Sequence, residues 1–184
     1  MNVYRDILRE EWDDVSPKVK NSHLSGEALF ADCCLDVVGV SGVLGKIIGR
    51  MAHLPQPVKS AKVTLRIRSS PHGEIWERSF PDCQLNSIQS QSPDGYLVDR
   101  FSLIAFCFRL RISNTGIVHH HIHTYLILGS RKLRLPRFLS PRIISHEEPD
   151  ANENASRIQV SLYLPLVGHV LTYSGIVRPL REGI

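Results

Sequence analysis

"KVTLRIRSSPHGEIWERSF", residues 62–80, decides how this chain folds. Val63, Leu65 and Ile67 alternate with Lys62, Thr64, Arg66 and Arg68. That period of two belongs to a strand with one buried face. "SPHG" (70–73) reads as a turn, and the alternation resumes beyond it. One face of the second stretch carries Glu74, Trp76, Arg78 and Phe80, and the other carries Ile75, Glu77 and Ser79. The segment therefore predicts an antiparallel hairpin. It also sets an arginine between two large aromatic rings on an otherwise apolar face.

The same pattern extends downstream. Strands are expected near 83–91, 96–101, 103–112, 117–128, 142–148 and 158–164, with "GHVLTYSGIV" (168–177) as the last. Ile104, Phe106, Phe108, Leu110 and Ile112 share one face of the 103–112 piece. "SPDG" (92–95) and "SNTG" (113–116) supply turns, and a proline-bearing basic loop separates 128 from 142. About nine short strands with regular turns form a meandering antiparallel sheet, which curls into a cup or barrel.

Upstream the period changes. Tyr4, Ile7, Leu8, Trp12 and Val15 recur at helical spacing, Ser16 can cap a restart, and Pro17 suits a first helical position. Leu29–Val37 alternates as one strand. Val43, Leu44, Ile47, Ile48 and Met51 form a helical stripe ended by Pro55, with Gly45 and Gly49 one turn apart. The expected class is α+β: N-terminal helices packed on a strongly curved, barrel-like antiparallel sheet. A single domain spans 1–184, with a mainly helical cover and one strand over 1–57 and the sheet over 58–184.

Composition narrows the function classes. The 184 residues are 42% hydrophobic and 22% charged, enough for a sizeable core. A net charge of +4 is too mild to argue for nucleic acid. Acids cluster at "REEWDD" (9–14) and "EEPDANE" (147–153), and bases at "RKLRLPRFLSPR" (131–142). That basic run reads as a solvated loop face, with phosphates or an anionic membrane surface as the alternative. Cys33, Cys34, Cys83 and Cys107 form no C-x-x-C pair, which points to reduced thiols and a cytoplasmic setting. No leader and no spanning run of about 18 apolar residues occurs.

The ordered set of motifs resembles the bacterial domain-of-unknown-function 4166 family. Its carriers are the opening helix ending near His23, Leu54–Pro55, the W-x-R-x-F of Trp76, Arg78 and Phe80, and Ser87. "LPRFLSP" (135–141), Glu147 and "LPLVGHVLTYSG" (164–175) follow. The resemblance covers nearly the whole chain. It implies no agreed activity, and it implies an accessory role beside nicotinamide-dependent oxidoreductases, to which similar domains are fused. The "HHHIH" run (119–123) departs from the family pattern, so a site built there would be private to this chain.

Three chemistries compete. His119, His121 and His123 would share a strand face and could chelate a metal for a hydrolase, although no local third element completes such a site. No nucleophile motif occurs, the cysteines lack a local activator, and adjacent Glu147 and Glu148 diverge on a strand. The best-motivated ligand site is the inner face of the sheet at Trp76, Arg78 and Phe80. Glu147, or the acid group of an amphipathic ligand, would meet Arg78. The resemblance adds His23 and Tyr173 to that face. The reading is a non-catalytic module, with no cofactor, that binds an apolar or amphipathic small molecule such as a lipid or acyl chain. An accessory domain of an oxidoreductase and a metal-dependent hydrolase are the alternatives.

Overall fold

The computed structural model describes residues 2–23, 28–39, 47 and 53–180. Helix α1 (Val3–Leu8) starts where the Asn2 side chain accepts from the Arg5 N–H. It stops at Arg9, whose φ of +52° leaves the helical region, and a 3-10 turn over Arg9–Asp14 follows. Ser16 caps α2 (Pro17–Lys20), with Pro17 in the first turn. Both caps satisfy N–H groups that a short helix cannot pair internally. The helix expected at 41–55 falls largely outside the described residues.

Alternation becomes strands throughout. They are β1 (Ala28–Gly39), β2 (Val58–Ser70), β3 (Gly73–Ser79), β4 (Gln84–Gln91), β5 (Leu97–Phe101) and β6 (Ile104–Ser113). Then come β7 (Gly116–Leu128), β8 (Arg131–Arg134), β9 (Arg142–Pro149), β10 (Ser156–Leu164) and β11 (Gly168–Leu180). Strand β8 lies inside the segment expected to be wholly loop. It escapes an alternation test because all four of its residues are exposed.

All neighbouring strands are antiparallel, in the order β6-β5-β4-β3-β2-β1-β11-β10-β9-β7-β8, and a β6–β7 pairing closes the ring. Among the described residues, eleven strands form and every one except β8 belongs to the closed barrel. An all-antiparallel ring needs an even number of strands, so β8 must stand outside, paired to β7 alone. Closure leaves no unpaired edge in the ring.

A barrel wider than eight strands encloses more space than its own side chains fill. The N-terminal segment meets that need. Val3, Tyr4, Leu8, Trp12, Val15 and Val19 are buried in the common core. They plug one rim: Ser16 N–H donates to Thr115 O at 2.8 Å, and Lys18 Nζ donates to Asp150 O at 2.6 Å. The β10–β11 turn, the β5–β6 turn and the β7–β8 hairpin lie at the opposite rim. The expected helical cover is therefore a stopper in one end of a barrel.

Candidate functional site

Beneath the plug lies a cavity of about 100 Å³. Leu65 of β2, Leu97 of β5 and Val160 of β10 contribute apolar wall, and Arg78, Asp99 and Glu147 are charged lining groups. Each arrives by alternation on a strand whose inner neighbours are apolar. Trp76, His23 and Tyr173 also line it. Phe80 does not. It is buried behind the wall and packs edge-on against Tyr173 at 5.9 Å.

Arg78 projects from β3 into this space. Its Nη1 donates to the Ser87 hydroxyl at 3.2 Å. Its guanidinium lies 5.1 Å from the Trp76 ring and 5.9 Å from the Phe101 ring. The aromatic sandwich expected of Trp76 and Phe80 is thus made by Trp76 and Phe101. The expected ion pair with Glu147 does not form: Glu147 Oε2 is held by His23 Nε2 at 3.0 Å. Among the described residues, no carboxylate lies within 4 Å of Arg78.

The second polar group is Asp99, opposite on β5. Burial pushes its carboxyl above the usual range, and the positive field of Arg78 is the largest opposing influence. Gln89 Nε2 donates to Asp99 Oδ2 at 3.2 Å. Asp99 Oδ1 and Gln89 Oε1 have no hydrogen-bond partner among the described residues. Such buried acceptors are costly unless something donates to them.

A third group ties plug to barrel. Glu74 is fully buried and accepts from Val3 N–H at 2.8 Å and Trp76 Nε1 at 3.2 Å. The Tyr4 hydroxyl meets His119 Nε2 at 3.1 Å, and the Tyr4 ring stacks on His23 at 3.9 Å. Burial raises the Tyr4 hydroxyl well above its usual range, with Asp99, Glu147 and Glu74 adding to the effect. Ser22 and Ser156 share a 2.7 Å hydrogen bond beside them.

The histidine strand is corrected in one respect. A bulge between Cys107 and Phe108 sets His121 opposite Phe108 and His123 opposite Cys107. One extra residue reverses the side on which later side chains stand. His119 and His121 therefore pack inward on Phe108, while His123 turns out against Tyr125. The shared three-histidine face does not exist. No group of three His, Cys, Asp or Glu able to hold a metal occurs among the described residues. Three of the thiols are held protonated by burial: Cys33 is pushed up to about 12, Cys83 to about 11, and Cys107 is raised.

Burial drives His119 down to about 4. Its folded value lies below its unfolded one, near 6.5, so the unfolded chain binds the extra proton first. The resulting stability is present above pH 6.5 and is lost as pH falls toward 4. Glu147, His23, Tyr4 and His146 are the titratable groups that face the ring. The difference between wild type and His119→Gln isolates its contribution. Urea unfolding at pH 7 and pH 4 is expected to show a wild-type loss greater by roughly 2–3 kcal/mol. Equal losses would show that His119 is not held neutral.

Sequence reasoning missed Tyr4, Asp99, Gln89 and Phe101 as site groups. Asp99 had a legible signal, an acid between Leu97 and Phe101 on the inner face of β5. Phe101 gave none, because its approach to Arg78 crosses from β3 to β5 over β4.

No helix is long and apolar enough to cross a membrane among the described residues. Comparison with curated proteins gives no match, and comparison with solved structures gives none. The family model for a domain of unknown function, DUF4166, matches residues 16–176, and the chain belongs to that family.

Proposed function

We propose that the protein is a non-catalytic module that binds a small amphipathic acid inside the barrel, with the acid group on Arg78. One observation carries this reading: a guanidinium faces an internal cavity, stacked on two rings, with a neutral hydroxyl as its hydrogen-bond acceptor. A desolvated cation gains most from a charge-assisted, forked contact with an anion. The apolar walls take the remainder of the molecule, and the free acceptors of Asp99 and Gln89 suit a donor such as a hydroxyl or amide on it. The volume of about 100 Å³ favours a short-chain acid over a whole lipid chain. Four free cysteines support a cytoplasmic setting.

Native mass spectrometry of the protein as purified, with calorimetric titration of a series from butyrate to octanoate, tests the reading. Arg78→Gln is expected to weaken binding by about 10- to 100-fold, the worth of a hydrogen bond to a charged group. Arg78→Lys, which keeps the charge but not the fork, should fall between. Equal affinity in Arg78→Gln, or no binding by wild type and no co-purified ligand, would overturn the proposal.

A further inference from the structure

The rim opposite the plug carries a surface that the internal cavity does not explain. Leu103, Leu128, Leu133, Phe138 and Leu139 are each more than half exposed, with Phe138 at 71%. They gather at one place. Ile127 N–H donates to Leu103 O, and β8 hangs on β7 with Leu126 opposite Leu133 and Leu128 opposite Arg131. The loop after β8 is fixed at both ends to buried Thr124: Leu135 N–H donates to Thr124 O, and Thr124 Oγ1 donates to Pro141 O. Phe138 and Leu139 are thus held out on an anchored loop. A soluble surface rarely gathers so many large apolar groups without a use for them.

Charge identifies the partner. Arg131, Lys132, Arg134, Arg137 and Arg142 interleave with these apolar residues, and no acid occurs between 124 and 142. All five cations are exposed, and none has an ion pair among the described residues. At the plug end Arg157 pairs with Asp150, and Arg178 with Glu153. Asp6, Glu10, Glu11, Asp13 and Asp14 stand there beside Arg5, Arg9, Lys18 and Lys20. The mouth at the β7–β8 hairpin thus gathers apolar groups and unpaired cations, while acids and bases mix at the plug.

We propose that the β7–β8 hairpin and the 135–141 loop dock this rim on an anionic phospholipid surface. Apolar side chains would enter the interfacial layer while the interleaved cations meet lipid phosphates. Asp36 and Asp82, also near the mouth, lie on strands and turns across the ring, and each accepts a backbone N–H.

The test is co-sedimentation of the full chain with vesicles of phosphatidylcholine alone, or of phosphatidylcholine and phosphatidylglycerol in equal parts. Binding is expected on the anionic vesicles, weakening with added salt, and not on the neutral ones. Arg131→Glu with Lys132→Glu should lower partitioning by roughly 25-fold or more, at about fivefold per cation. Phe138→Ser with Leu139→Ser should lower it about tenfold. Thermal midpoints of both variants should match wild type, because these side chains are exposed. Absence of binding to anionic vesicles, or binding unchanged in both variants, overturns the proposal. So does binding of a single-stranded oligonucleotide without vesicle binding, or a solution dimer that Phe138→Ser dissociates. Arg78→Gln should leave vesicle binding intact, which separates this result from the internal ligand.

Discussion

Gly175→Ala is expected to destabilise the barrel by at least about 3 kcal/mol and to cut the yield of folded protein. Gly175 lies mid-strand in β11, facing Leu35 of β1 on one side and Ile158 of β10 on the other. Its φ is +157°, and a Cβ there would stand 2.0 Å from Cys34 O and 3.0 Å from the Leu35 Cα. Both obstacles are backbone, so no side chain can rotate away. The strand has a partner on each side in a closed ring, so it cannot bow outward without breaking a ladder. Gly129→Ala is the control. Its φ is +60°, but nothing lies within 4 Å of the added carbon, and a cost of about 1 kcal/mol is expected. Chemical denaturation compares them. A Gly175→Ala protein as stable as Gly129→Ala would refute the close approach of β1 and β11.

Glu147→Ala is expected to cost about 3–5 kcal/mol and to loosen the plug selectively. His23 and Glu147 are 1% and 7% exposed and join the last residue of the plug to β9 across 124 residues of chain. Truncation leaves the His23 ring buried without the acceptor it has among the described residues. Hydrogen exchange should rise over residues 2–23 before it rises in β1 or β11, whose ladders the pair does not join. Acid should act in the same direction. Burial alone would raise the Glu147 carboxyl, but the His23 ring, the Ser156 hydroxyl and His119 together outweigh it and leave the group below its usual 4.5. A carboxylate depressed in the folded state stabilises above its unfolded value and loses that contribution as pH falls through the folded one. Wild type should therefore lose plug protection in strong acid, below about pH 4.5, and the variant should lack that step. Uniform protection across plug and barrel in the variant would show that the pair does not latch the plug.

These two positions also mark the boundary of what the chain announces about itself. Alternation at Val63, Leu65 and Ile67, or at Phe106, Phe108 and Leu110, is local and has a period of two, so it names strands and their inner faces directly. Turn residues and the Ser16–Pro17 cap are equally local, and the order of motifs was sufficient to place the family. The inward aim of Arg78 follows from the same alternation, while Glu147, His23 and Tyr173 are singled out through the resemblance. Their partners follow from neither. His23 takes Glu147, and Phe101 replaces Phe80 beside Arg78, because strand order and barrel curvature decide which inner faces oppose one another. The bulge at Cys107–Phe108 turns His123 away from His119 and His121, and a single added residue leaves no mark in hydrophobic periodicity. Closure itself rests on β6 pairing with β7 while β9 takes the other edge of β7. Sequence alone thus determined the strands of the ring, most of their inner faces and the family. The ring, the plug in its end and the contacts across its cavity were decided only in the tertiary structure, since they depend on pairings between segments far apart in the chain.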